Sequence, residues 1–196
     1  MSNQKEIRAR ISSTISTQQI TKAMKLVSAT KLRKASDAIV RMRPYALKLQ
    51  GIMSNLQEST DDDRLAVYFN QRELKKVCLV VISSDRGLCG AFNANVAKRT
   101  RHLLENDYKH LVNTGNLEIL CIGKKAGETL KRLGYTVNTE HQNLLIDLNA
   151  DKAFHFTQTL IERFKSGELD KIEVVYNQFK NAATQILSNE SVLPIV

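Results

Sequence analysis

The residues of this chain that could do chemistry gather at two strand-to-helix junctions. The first is SSDRGLCGAFN, residues 83–93, directly after the apolar run KVCLVVI. The second is GKKAGETL, residues 123–130, directly after LEILCI. A glycine turn that leads from a strand into a helix is where many α/β proteins hold a phosphate. That chemistry needs a particular spacing. GxxxxGK[ST] wraps amides, a lysine and a hydroxyl round the phosphate, and GxGxxG lets the backbone approach a pyrophosphate. Gly87 and Gly90 form only GxxG, with no lysine, and the second junction misses both spacings. The first loop reads instead as structural. Asp85 is expected to accept local backbone amides, Gly87 and Gly90 to supply turn conformations, and Cys89, Ala91 and Phe92 to pack beneath.

Other reactive types are no better arranged. Cys78, Cys89 and Cys121 have no CxxC spacing, and Cys78 and Cys121 sit in apolar, strand-like runs as small core residues. His102, His110, His141 and His155 are scattered without ligand spacing, and Asp61, Asp62 and Asp63 read as a solvated linker. No Ser–His–Asp or Cys–His pairing is visible. The expectation is no catalytic residue, no cofactor and no metal. No apolar leader opens the chain and no run reaches the roughly 20 apolar residues of a membrane span, so a soluble, intracellular protein is expected.

Charge points elsewhere. The formal net charge of the 196 residues is +9. Residues 1–50 hold eleven Lys/Arg against Glu6 and Asp37, and the rest of the chain balances. The first quarter therefore expects an acidic partner: nucleic acid, an anionic membrane or an acidic protein surface. From Gln4 to Leu56 there is one proline, Pro44, and one glycine, Gly51, among good helix formers. A helix of that span is about 80 Å long at 1.5 Å per residue. Counted in sevens, Ser28, Ala35, Met42, Leu49 and Leu56 share one position, and Leu32, Ile39, Ala46 and Met53 fall four residues on. That is a coiled-coil seam. Ile7 and Ile11 fit the register, but Thr14, Gln18, Thr21 and Lys25 occupy it between them and Ser28. There the apolar residues Ile20, Met24 and Val27 move to a neighbouring line. The middle section is expected to meet a different surface. Pro44 lies off the seam and should bend the helix without ending it.

After the polar stretch QESTDDDR the pattern alternates in the α/β manner. Strands are expected at 77–83, 117–123 and 135–140, helices at 91–112, 124–134 and 151–165, and two neighbouring extended segments at 171–181 and 184–196. The expected fold class is α/β: a long N-terminal coiled-coil helix, then an open, mostly parallel Rossmann-like sheet with helices on both faces. The expected division is 1–57 shaft helix, 58–75 linker and 76–196 globular domain that binds no nucleotide.

TQQITKAMKLVSATKLRKA (17–35), followed some fifty residues later by SSDRGLCGAFN and at the end by NESVLPI, closely resembles the gamma subunit of F-type ATP synthases. The resemblance implies a central rotor shaft. Its N- and C-terminal helices form an antiparallel coiled coil inside a ring of alternating alpha and beta subunits, above a globular foot that meets epsilon and the c-ring. Rotation drives the beta sites through different conformations and couples ion flow to ATP synthesis or hydrolysis. The beta subunits present acidic segments toward the shaft. Lys22, Met24, Lys25, Lys31, Arg33 and Lys34 are expected to contact the ring. The seam comprises Ile7, Ile11, Ile20, Val27, Leu32, Ala35, Ile39, Met42, Leu49 and Met53. The resemblance further implies a non-catalytic subunit, peripheral to the membrane at the cytoplasmic face of the bacterial inner membrane.

Family members continue past VLPI into a second long helix, whereas this sequence stops at Val196, so a truncated chain is expected. Alone, its Leu32/Ile39/Leu49/Met53 stripe would be exposed, and the helix should fray, self-associate or borrow a partner. Two other classes compete with this reading. A nucleic-acid binder would use the basic helix, but only Tyr45 is aromatic there, and a groove-reading helix needs no long apolar seam. A nucleotide-dependent enzyme rests on sheet topology alone.

Overall fold

The computed structural model describes residues 3–59, 63–112, 114–146 and 148–195. The expected linker aspartates Asp61 and Asp62 lie outside them. The chain divides between Glu58 and Ser59 into two units.

The first unit consists of one helix, α1 (Gln4–Ser59), of 56 residues, whose last residue falls at the boundary. It runs through Pro44 without ending. Its composition accounts for its formation, since the Ala-, Lys-, Leu-, Met- and Arg-rich stretches lose little side-chain freedom in a helix. Its apolar line is in solvent, with Leu32 46% exposed, Leu49 41% and Met53 41%.

The second unit begins with α2 (Asp63–Phe69), a short helix inside the stretch expected as a linker. The following residues are held to the globular unit. The Lys75 and Lys76 amides donate to Asp170 Oδ2 at 2.9 and 2.7 Å, and Arg72 Nη1 donates to the Phe164 carbonyl at 3.0 Å. Then follow β1 (Val77–Ile82), α3 (Phe92–Glu105), α4 (Lys109–Val112), β2 (Leu117–Ile122), α5 (Lys124–Arg132), α6 (Ala150–Lys165), β3 (Lys171–Phe179) and β4 (Gln185–Leu193). The strand order is β2-β1-β3-β4. β1 pairs in parallel with β2 and β3, and β4 is an antiparallel edge. β1 is a continuous apolar run because it is covered on both sides. Val77, Leu79 and Val81 face Val96, Leu103 and Leu104 of α3 and Leu130 of α5. Cys78 and Val80 face Leu160 and Phe164 of α6. Cys78 and Cys121 thus lie in different layers, and burial pushes both thiols up to about 12. They are inert core residues. No helix of the described residues is long and apolar enough to cross a membrane.

Two expected elements differ. The helix expected at 91–112 is broken: α3 stops at Glu105, and Asn106 and Asp107 turn the chain before α4. Both residue types compete with helix through their side chains. The turn carries Tyr108 inward, where its hydroxyl donates to Glu173. The strand expected at 135–140 is a single parallel bridge, Asn138 to Leu120.

Glu173 joins several elements. It is 5% exposed, accepts from Tyr108 and from Asn189 Nδ2 at 2.7 Å, and pairs with Lys171 Nζ at 3.4 Å. Arg99 of α3 completes the chain by donating from Nε and Nη2 to Asn189 Oδ1 at 2.9 and 2.5 Å. Burial alone would raise the Glu173 carboxyl, but the Tyr108 and Asn189 hydrogen bonds and the Lys171 charge outweigh it and hold it below its ordinary value. A carboxylate lowered in this way contributes stability that is complete above its unfolded pKa and lost as pH falls through the folded one. Glu173→Gln is therefore expected to cost about 1–3 kcal/mol at pH 7. The gap from wild type should close in acid, below the ordinary carboxylate value, as urea unfolding at pH 7 and pH 3 would read.

Candidate functional site

The two strand-end junctions fill themselves with protein groups. At the first, Ser84 and Asn93 hold the loop. The Ser84 amide donates to Asn93 Oδ1 at 3.0 Å, and the Ser84 hydroxyl donates to the Arg86 carbonyl at 2.7 Å. Asn93 Nδ2 reaches Ser84 Oγ at 2.9 Å and Cys89 Sγ at 3.1 Å. Asp85 does not play the part expected of it: its Oδ1 is buried without a hydrogen-bond partner among the described residues. Gly90 has a positive φ, 58°, but Gly87 does not; the second left-handed residue is Leu88, φ 61°, with its side chain fully in solvent. Cys89 and Ala91 are exposed rather than packed beneath the loop, and Phe92 is half-buried. Asn93 was missed by sequence reasoning. Its signal is a short amide in the first turn of a helix, where such side chains bond nearby backbone.

At the second junction, Ser83 Oγ accepts the Ala126 amide at 3.0 Å and the Ser84 carbonyl accepts the Lys125 amide at 3.1 Å. These are first-turn donors of α5, the groups a phosphate would use in a nucleotide site. Ser83 and Ser84, just after β1, stand where that phosphate would accept. Gly123 permits this approach, because a Cβ on it would lie 2.0 Å from the Ser83 carbonyl oxygen. Lys125 Nζ is engaged by Glu128 at 2.6 Å. Among the described residues no group of three or more His, Cys, Asp or Glu is placed to hold a metal.

The charged surface of α1 is open. Lys22, Met24, Lys25, Lys31, Arg33 and Lys34 are all exposed on this helix. Helical spacing sets Lys22, Lys25 and Arg33 within about 80° of one another round the axis, with Lys31 and Lys34 on the other side. Arg33 Nε stands 4.0 Å from Asp37, an exposed pair of little energy. Among the described residues Lys22, Lys25, Lys31 and Lys34 have no ion-pair partner. The seam residues Ile7, Ile11, Ile20, Val27, Leu32, Ala35, Met42, Leu49 and Met53 are likewise exposed, and Ile39 is half-buried. What this surface can do is present fixed positive charge and an apolar line to other helices.

An open, mostly parallel four-stranded sheet, on a chain that also carries a 56-residue cationic helix, defines a mixed α/β class with a long N-terminal helical arm. The sequence profile described as ATP synthase matches residues 3–196, and the chain belongs to the ATP synthase gamma-chain family. It is 47% identical over 195 residues to the ATP synthase gamma chain of Cytophaga hutchinsonii, covering 100% of this chain and 66% of that one. Identity to the gamma chain of Christiangramia forsetii is 47% with the same coverage, and to that of Chlorobium phaeobacteroides 40%. This chain thus spans just under two thirds of those relatives' length. Among solved structures, the central stalk and c-ring of the Tetrahymena thermophila mitochondrial ATP synthase matches with TM-score 0.63 at 24% identity, over 89% of this chain and 72% of that one. The rotor of the Euglena gracilis mitochondrial enzyme matches with TM-score 0.60 at 24% identity, over 96% and 62%. These two likenesses establish a shared fold.

Proposed function

We propose that this chain is part of the central rotor shaft of an F-type ATP synthase, a subunit with no catalytic residue or cofactor of its own. Residues 1–57 form the shaft helix, 58–75 the connection and 76–196 the globular foot. The observation that carries this reading is the family match across 3–196, on a chain whose first 59 residues include a single exposed helix. Its partners are the alpha and beta subunits round the shaft and epsilon and the c-ring at the foot. A further helix of the parent subunit would pair with the seam. The subunit then sits peripherally at the cytoplasmic face of a bacterial inner membrane, held through the complex.

The geometry suits a rotor. Lys22, Lys25 and Arg33 cluster on one side of α1, so a ring with acidic segments would meet a different charge at each angle. Only such differential interaction can shift the conformations of the surrounding sites. Exposed charge also avoids the deep apolar contact that would hold one angle. The test is assembly. This chain, joined to the segment of the Cytophaga hutchinsonii relative that it does not cover, is co-expressed with alpha and beta subunits. Stoichiometric co-purification supports the reading, and recovery of the chimera without them overturns it.

A further inference from the structure

The stretch Ser12–Thr21, SSTISTQQIT, is unlike the rest of α1. Six of its ten residues carry hydroxyls and two more are isoleucine. β-branched side chains lose χ1 freedom in a helix, and serine and threonine compete for its backbone. That competition is visible. Thr14 Oγ1 donates to the Arg10 carbonyl at 2.8 Å, Thr17 to Ser13 at 2.9 Å, and Thr21 to Thr17 and Gln18 at 3.0 Å each. Such back-bonds share carbonyls that the helix already uses, and they weaken and bend it. No charged residue lies between Arg10 and Lys22, so the stretch has no side-chain ion pair of the kind seen at Glu6–Arg10 (2.6 Å) and Arg33–Asp37 (4.0 Å). Its heptad positions are Thr14, Gln18 and Thr21, and its two isoleucines, Ile15 and Ile20, lie off that line, so a partner helix in register with the seam from Ser28 onward meets polar side chains here.

Both sources of stiffness, intrinsic propensity and an apolar seam in register, are therefore weakened in the same ten residues. We propose that Ser12–Thr21 is a bending joint built into α1. It separates the Ile7/Ile11 end of the helix from the seam that starts at Ser28 and lets the two swing and twist relative to each other. Pro44 is a different device, a fixed deletion of one backbone hydrogen bond within a stretch that keeps its seam on both sides. As a joint in a shaft the proposal rests on the rotor reading; as a soft section of helix it stands apart from it.

The test is residue-by-residue helical population, read from Cα secondary chemical shifts of this chain. The expected profile has a minimum over residues 12–21, with shifts there about half those of residues 24–36, distinct from any local dip at Pro44. The variant Thr14→Ala/Thr17→Ala/Thr21→Ala should fill most of that minimum. The variant Thr14→Val/Thr17→Val/Thr21→Val removes the back-bonds but keeps the branching and should fill only part of it. A flat profile, whether high or low, a minimum elsewhere, or a minimum that survives the alanine changes overturns the proposal. The assembly experiment does not enter this readout, so the joint and the rotor reading fail separately.

Discussion

Gly123→Ala is expected to destabilise the globular unit severely. Two costs add at this position. The residue has φ 80°, which a side chain adopts only under strain, and its Cβ would stand 2.0 Å from the Ser83 carbonyl oxygen. That oxygen belongs to backbone at the end of the central strand, next to the hydroxyl that accepts the Ala126 amide, so it cannot move without opening the junction. Together these should remove about 3–5 kcal/mol, a large share of a domain's stability. Gly134→Ala separates the two costs. It has φ 90° but nothing within 4 Å of the added Cβ, so it should cost only about 1 kcal/mol. Urea unfolding monitored by circular dichroism reads both. Equal, small losses at the two positions would show that the Gly123 approach is not what closes this strand end.

The double change Lys22→Glu/Lys25→Glu is the functional counterpart. Both side chains are exposed and without ion-pair partners among the described residues, and glutamate is as good a helix former as lysine. The chain itself should keep its stability to within about 0.5 kcal/mol. Against an acidic ring the same change turns attraction into repulsion, which at an interface costs several kcal/mol. Ion pumping per ATP hydrolysed, measured in vesicles carrying the assembled complex, should fall at least about tenfold. Lys109→Glu, on the short α4 of the globular unit, should leave it unchanged. Undiminished pumping in the double variant would remove these lysines from the ring contact.

What the sequence could disclose depended on the distance over which each feature is decided. The shaft helix is local: good helix formers, one proline and a heptad line are readable residue by residue, and α1 runs where they place it. Strand β1 announces itself as an unbroken apolar run, and β2 as one interrupted only by Glu118. The break after Glu105 is different, because its benefit is a hydrogen bond from Tyr108 to Glu173, 65 residues further on. No local pattern carries that. The loop after β1 is expected to be structural, but its wiring was not legible. Asp85 and Asn93 are both short polar residues, and only the path of the chain decides which one reaches Ser84. Nor does GxxG reveal that Leu88, rather than Gly87, takes the left-handed conformation. The self-filled end of β1 rests on a close approach between Ser83 and Gly123, again a pairing across forty residues that neither motif declares.

The most direct measurement of the rotor reading is of rotation itself. The chimera described above is assembled with alpha and beta subunits, the ring is fixed to a surface, and a bead is attached to the globular unit. On addition of ATP the bead should turn continuously in one direction, and it should stop when ATP is withdrawn. A bead that stays still, or only jitters about one angle, while the fixed ring hydrolyses ATP would contradict the claim that this chain turns as a shaft.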